Sequence, residues 1–475
     1  MRGLLASSIG VTCAAALALP LASPAVAARP VSPATVRPAS GAEALGGIQS
    51  LPLAPLASRE RTLAPVAGEQ GLPRRDVRHF SLVGVIWDDP DTVLHGRVQV
   101  RTRAAGTDTW SSWQELEAHN DDAADPGTAE RTSGRVHGAT APLWVGDSDG
   151  VEARVRAETG RRTEDTARGS RTATASALLP AGLRLELVDP GESAPAPDER
   201  QAAAAGAPHR GTAHRSAPTD EPPAVRAALD ASAANAGLTA PGAAEIPELD
   251  RKQTEQELFA LSAGELTQAQ RVKPYIGPRP RIVTRRGWGA DETLRERQFV
   301  YTKKVKAVFV HHTASGNGYR CSQVPSLIRG IYRYHVESMG WRDIGYNFLV
   351  DKCGNIYEGR AGGVAKPVLG AHTLGFNTNS MGIAVLGSFG SAKPPAAAVK
   401  AIARLAAWKL GLHGVNPKGR TYLKSGGGNL YRKGTKVRLN VISGHRDGFA
   451  TECPGRLLYR KLGSTRSTAA RLQGR

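Results

Sequence analysis

Ser443-Gly444-His445-Arg446-Asp447 stands near the C-terminus, and eight residues past that histidine comes Cys453, followed by Pro454-Gly455. Far upstream, His311 closes a mostly apolar run, Val305 to Val310. Two imidazoles and one thiolate are a three-ligand set for a tetrahedral zinc, and they leave its fourth position open. An open position marks a catalytic site, because a structural site closes it with a fourth protein ligand. The spacing therefore points to hydrolysis. His311 has a neighbour, His312, and at a strand end the two side chains point to opposite faces, so only one joins a given site. For Cys453 the other reading is an unligated thiol, open to oxidation in an oxidising compartment. Zinc would hold it as thiolate.

Working outward, residues 278–462 alternate strand and helix patterns. Lys306 to His311 reads as a strand. Val324, Leu327, Ile328, Ile331 and Tyr334 recur at helical spacing until Gly340 stops the helix. Ile344 to Asp351 and Asn355 to Glu358 read as a hairpin around Cys353-Gly354, with Ile344, Tyr346 and Phe348 on one face. Ser380 to Leu386 is a central strand, Pro395 to Leu412 an alanine-rich helix, and Val441 to Gly444 a last strand running into His445. The expected architecture is α/β, a central mixed β-sheet flanked by helices.

The rest of the chain divides by composition. At 475 residues it exceeds one ordinary core, so two or three domains are expected. Residues 1–27 carry a charged start, a short apolar stretch and an Ala25-Val26-Ala27 cleavage site, and read as a secretory signal peptide. The apolar stretch is too short to span a bilayer and no later one approaches the length required. Cys13 lacks a lipoprotein-type box, so a secreted, extracellular or wall-associated protein is expected. Residues 28–75 are rich in Pro, Ala and Ser and read as disordered. Residues 80–190 hold strand-like runs, Ser81 to Trp87, His95 to Arg101, Ala141 to Val145, Val151 to Ala157 and Leu183 to Val188, punctuated by turn signals; they read as a small β-rich domain. Residues 191–250 read as a disordered linker, with a short helix expected from Thr254 to Leu266.

Once Cys13 leaves with the signal peptide, Cys321, Cys353 and Cys453 remain. Pairing Cys321 with Cys353 leaves Cys453 for metal, although sequence leaves the connectivity open. Charge is unevenly spread: from Arg271 to Arg475 there are 36 Lys and Arg against 9 Asp and Glu, a net +27, whereas the first 270 residues are net −8. A basic C-terminal half on a secreted chain suits an anionic surface, such as wall polymer. Nucleic acid has no motif in its favour.

Five further segments carry a resemblance: Arg285-Arg286-Gly287-Trp288-Gly289-Ala290, Val310-His311-His312-Thr313-Ala314, Gly340-Trp341-Arg342-Asp343-Ile344-Gly345-Tyr346-Asn347-Phe348, Tyr357-Glu358-Gly359-Arg360 and Thr451-Glu452-Cys453-Pro454-Gly455. In this order, about Arg281 to Arg460 resembles the peptidoglycan recognition protein family of type 2 zinc amidases, which include phage lysozyme-type enzymes. The resemblance implies His311, not His312, as the first zinc ligand, with His445 and Cys453 as the others. Several members bind peptidoglycan without cutting it and lack the cysteine, so Cys453 argues for a zinc-dependent N-acetylmuramoyl-L-alanine amidase. The alternative is a non-catalytic peptidoglycan-binding protein.

Tyr346 matches the family's catalytic tyrosine. Thr451 stands where phage enzymes carry lysine and recognition-protein-type enzymes threonine. Gly340-Trp341 and Arg360 match members preferring diaminopimelate-type peptidoglycan, whose extra carboxylate a guanidinium can hold with two hydrogen bonds. His372 and Asn377 match the loop that contacts the stem peptide.

Overall fold

Alternation of side chains along one long strand joins the two halves of the chain. The computed structural model describes residues 46–56, 68–118, 122–166, 169–176, 178–192, 223–261 and 266–475. The N-terminal domain is an eight-stranded antiparallel sheet whose principal strands are β1 (Gly47–Pro52), β2 (Glu69–Trp87), β3 (Gly96–Ala104), β4 (Gln114–Leu116), β5 (Leu143–Ala157) and β6 (Arg184–Asp189), in the order β1-β6-β2-β5-β3-β4. From Phe80 to Trp87 every residue of β2 is buried. Val83, Val85 and Trp87 enter the domain's own core with Val98, Val100 and Leu185. Leu82 and Ile86, on the opposite face, join a second cluster. A run buried on both faces reads as continuously apolar, as Ser81 to Trp87 does.

The second domain holds a seven-stranded mixed sheet: β7 (Glu245–Ile246), β8 (Ile282–Val283), β9 (Ala307–His312), β10 (Phe348–Val350), β11 (Ile356–Glu358), β12 (Ser380–Val385) and β13 (Ile442–Gly444), in the order β7-β8-β11-β10-β12-β9-β13. Strand β9 is parallel to both neighbours and buried throughout. Helices α1 (Pro223–Ala233), α2 (Arg251–Leu261), α3 (Val324–Arg333), α4 (Ala396–Leu412) and α5 (Leu462–Leu472) flank it. On one face Ile402, Leu405 and Trp408 of α4 pack on Val308, Val310 and Ile383. On the other, Leu327, Ile328 and Ile331 of α3 lie between this sheet and the Leu82–Ile86 face of β2. Cys321 and Cys353 are disulfide-bonded, tying the start of α3 to the β10–β11 turn.

The two domains thus share apolar surface. Tyr334 donates to Val85 O (3.4 Å) and Thr140 O (3.2 Å), Ser338 donates to Glu186 (2.8 Å), and Arg329 reaches Pro190 O (3.3 Å) and Gly191 O (2.9 Å). A large apolar seam disfavours independent domain motion.

Several expectations need correction. The reading of 28–75 as disordered fails from Gly47, because Gly47–Pro52 pairs along β6 and Glu69 begins β2, so the β-rich domain starts well before residue 80. The run expected at Ala141–Val145, which starts only at Leu143, and Val151–Ala157 belong to one strand, whose Gly150 is absorbed by shifts of register against β2. The reading of 191–250 as a linker fails from Pro223: α1 leads to Asn235, whose amide holds Glu358 (2.9 and 3.0 Å), and β7 adds to the second sheet. The boundaries 278 and 462 also move outward. Ile246 and Leu258 enter the core, and Gln473 after α5 donates to Ala407 O (2.9 Å). The helix expected from Thr254 to Leu266 runs from Arg251 to Leu261. The signal peptide at 1–27, the rest of the 28–75 segment up to residue 45, residues 57–67 and the linker stretch 193–222 lie outside the described residues. No helix among the described residues is long and apolar enough to cross a membrane.

A side chain at Gly84 would overlap the Tyr334 ring. Gly84→Val is therefore expected to lower stability by about 1–3 kcal/mol, as overpacking does, read as a lower denaturation midpoint. An unchanged midpoint would mean the seam is not closed in solution.

Candidate metal centre

Strand register brings the candidate ligands together. Val310 of β9 lies opposite Gly444 of β13, so His311 and His445 emerge side by side with ring centroids 4.5 Å apart. A single turn over His445–Asp447 follows, and Arg446 N–H donates to Cys453 O (3.1 Å), folding the Cys453 loop back over the strand ends. Cys453 Sγ lies 3.7 Å from His311 Nδ1 and accepts the His312 N–H at 3.4 Å. One ligand atom from each of His311, His445 and Cys453 falls within 4.8 Å of the others, and all three residues are buried. His312 stands outside this trio, its Nδ1 accepting from Phe389 N–H at 3.2 Å, although its ring borders the same cavity.

Burial sets the protonation. It pushes His311 and His445 down to about 3, each reinforced by a neighbouring histidine, so both are neutral and able to ligate a cation. Thr373 Oγ1 sits 3.3 Å from His311 Nε2 and 3.0 Å from His372 Nδ1, which orients the first ring from behind. Such outer hydrogen bonds fix the ring that binds the metal.

A fourth group joins them, from the other domain. Asp122 Oδ1 lies 3.0 Å from His311 Nδ1 and 3.3 Å from His445 Nδ1, while Oδ2 accepts the Tyr346 hydroxyl at 2.5 Å. Burial raises this carboxyl to about 6, even against the opposing pull of His445. Asp122 Oδ1 and both ring nitrogens of His445 are buried without a hydrogen bond. A buried carboxylate and two neutral imidazoles facing one point fit a cation between them. Ligands of a tetrahedral zinc at about 2.0–2.1 Å stand roughly 3.3 Å apart, which is the spacing of Asp122 from the two rings. The donor set therefore suits zinc.

Asp122 escaped sequence reading. Asp121-Asp122-Ala123-Ala124-Asp125-Pro126-Gly127 looks like an acidic turn, and only its place in the acidic half of a chain with a basic second half hints at a role.

The remaining expected residues divide. Tyr346 is buried beside His311 (ring centroids 5.7 Å), and burial plus Asp122 hold its hydroxyl protonated. It does not share a face with Phe348, because the strand starts only at Phe348; Tyr346 and Ile344 face α3, whereas Phe348 faces α4. Thr451 lines the cavity next to the ligands, and its hydroxyl accepts the Cys453 N–H at 3.2 Å. Arg360 lies apart, beside a cavity shared with Arg342 and Asp343. Trp341 is packed on His335 (4.5 Å) rather than open to a ligand, and Gly340, at φ 73°, backs onto Arg135 of the first domain. His372 and Asn377 are fully buried. His372 lies edge-on to His311 (5.2 Å), while Asn377 Oδ1 accepts from the His372 and Thr373 N–H groups, 2.7 and 3.0 Å. His372 thus backs the site from beneath, whereas the Asn377 amide is taken by Asp125 and Ala123 O of the first domain. Arg285, in the Arg-Arg-Gly-Trp segment, is likewise internal, bonded to Glu292, Asp343 and Gly359 O.

Residues 301–456 match the family described as N-acetylmuramoyl-L-alanine amidase, and residues 35–177 the family described as Rv3811 N-terminal galactose-binding domain-like. Peptidoglycan-recognition protein SC2 of Drosophila simulans is 29% identical over 184 residues, covering 38% of this chain and 84% of that protein. Peptidoglycan-recognition protein 1 of Holotrichia diomphalia is 32% identical over 187 residues, covering 38% and 79%. A human N-acetylmuramoyl-L-alanine amidase is 31% identical over 208 residues, covering 43% of this chain and 30% of that protein.

Purified chain is expected to hold about one zinc per molecule and Cys453→Ser to hold less than about a tenth of that, measured by plasma mass spectrometry after dialysis. Stripping the metal should lower the melting temperature of wild type alone, because a ligand of the native state stabilises it in proportion to RT ln(1 + [L]/Kd). Equal metal in both proteins would remove Cys453 from the ligand set.

Proposed function

The chain belongs to the peptidoglycan-recognition protein family, and on that premise we propose that it is a secreted, zinc-dependent N-acetylmuramoyl-L-alanine amidase. The bond cleaved joins the lactyl group of N-acetylmuramic acid to L-alanine, in wall of the diaminopimelate type. The convergence of His311, His445 and Cys453 carries this reading, since a peptidoglycan-binding surface alone has no use for a buried two-imidazole, one-thiolate cluster.

When bound, zinc would supply an acidified water and an electrophile for the amide carbonyl. The protein's groups do the rest. His311, His445 and Cys453 would hold the ion, and Thr373 keeps the His311 ring in position. Tyr346, protonated at every physiological pH by its burial, donates to the carbonyl oxygen as negative charge grows there, once its hydroxyl is released from Asp122. The Thr451 hydroxyl, whose oxygen already accepts the Cys453 N–H, has its proton left to donate to the same oxygen. Arg360, with two parallel N–H groups on a rigid plane, suits the diaminopimelate carboxylate. Basic charge in the second half favours approach to an anionic wall.

One observation favours the other family role, binding without cleavage: Asp122 stands at the position that water would need. Product analysis of purified sacculi separates the two readings. The amidase reading expects free stem peptides to be released, the release to be lost with a chelator or Cys453→Ser, and Tyr346→Phe to cut the rate about 10²–10³-fold, the usual cost of losing one such donor. Retention on sacculi with no stem peptide released, from wild type and from a chain with Asp122 replaced by alanine, would leave a binding protein.

A further inference from the structure

Three acidic side chains of one segment meet three parts of the site just described. Asp122 faces His311, His445 and Tyr346. Asp125 Oδ1 accepts from Gly375 N–H (2.8 Å), Asn377 N–H (3.2 Å) and Asn377 Nδ2 (2.7 Å), and Ala123 O accepts a second hydrogen from that amide (2.8 Å). Glu130 takes Arg360 with two parallel bonds, Nη1 to Oε2 at 2.9 Å and Nη2 to Oε1 at 2.8 Å, and also accepts the Arg342 N–H at 3.2 Å. The segment then passes Gly340, where the Arg135 backbone is in contact, and Arg135 pairs with Glu296 (2.5 Å).

All three acids are buried, Asp122 to 6%, Asp125 to 7% and Glu130 to 5% exposure. Carboxylates are driven out of protein interiors unless specific partners hold them. Here each partner belongs to the second domain, and Arg360 and the zinc ligands serve substrate and catalysis on the reading above. Burial opposes ionisation of Glu130, yet Arg360 and the Arg342 N–H together keep its carboxyl below the usual range. Glu130 thus sits on Arg360 in the fork geometry that a stem-peptide carboxylate would adopt, while Asp122 would supply the fourth ligand that makes a zinc site closed instead of catalytic.

We propose that the Asp122–Arg135 segment is an intramolecular plug that imitates substrate and keeps the enzyme latent, so that turnover requires its displacement. The proposal rests on the peptidoglycan reading of the groove. It assigns Asp122 to the metal's open position, Glu130 to the diaminopimelate carboxylate subsite and Asp125 to the anchoring of the segment on the Gly375–Asn377 loop. Wall polymer entering the groove competes with both carboxylates at once. Apparent affinity falls by the fraction of molecules with the groove open, so a segment seated in nine molecules of ten weakens binding about tenfold.

The test uses the full-length chain with cobalt(II) in place of zinc, titrated with a muramyl tripeptide ending in diaminopimelate. Asp122→Ala is expected to change the cobalt absorption bands, because a carboxylate ligand gives way to water. Glu130→Gln, close in shape and remote from the metal, is expected to bind the tripeptide tenfold or more tightly than wild type with the bands unaltered. The zinc form of the double variant should release stem peptides from sacculi at least tenfold faster than wild type. Wild type binding the tripeptide as tightly as both variants would overturn the plug, as would slower release by Asp122→Ala with unchanged cobalt bands, which would make Asp122 a catalytic residue. Bands that change in Asp122→Ala while no form binds or cuts any muropeptide would keep Asp122 as a metal ligand and remove the peptidoglycan reading instead.

Discussion

Parallel pairing of one buried strand with its two neighbours is the constraint on which the site depends. Register between β9 and β13 sets His311 beside His445, and the turn that follows returns Cys453 to the same point. Three ligand atoms from positions as far apart as 311 and 453 then lie within 4.8 Å. Slipping β13 by one residue would turn His445 to the other face, since side chains alternate along a strand. The core supports this register from both sides: α4 covers one face and α3 the other.

That second face is where the two domains become one body. Leu82 and Ile86 pack on α3 while their neighbours fill the β-domain's own core, so a single strand serves two cores. The seam fixes the β-domain beside the candidate site, where Asp122 meets His311 and His445. Opposite charge of the two halves has a structural counterpart here. Acids of the first domain meet Arg360, Arg342 and backbone N–H groups of the second.

Much of the second domain was legible because its elements obey simple periods. The run at 306–311, the helical recurrence from Val324 and the alanine-rich stretch before Leu412 all name their own structure. The convergence of His311, His445 and Cys453 was legible as well, because two histidines at strand ends and a cysteine in the loop that follows have few other uses. What escaped reading was whatever depends on a partner distant in sequence. Gly47–Pro52 looks disordered until β6 pairs with it, and Pro223 to Ile246 looks like linker until Glu358 and β8 engage it. Tyr346 seemed to alternate with Phe348, but Gly345 is bonded to His335 Nδ1 (3.1 Å), and regular strand begins only beyond it. His372 and Asn377 carry the family pattern yet lie inside, so pattern located them without saying what they touch. Asp122 is the extreme case: a turn-like acid whose meaning lies wholly in the other domain.

A closed zinc site built from both domains is tested most directly by X-ray absorption at the zinc edge of the full-length protein. One sulfur at about 2.3 Å with three nitrogen or oxygen neighbours at about 2.0–2.2 Å, one of these lost as a carboxylate and regained as water in Asp122→Ala, is the predicted result. A first shell without sulfur, or one identical in wild type and Asp122→Ala, would contradict it.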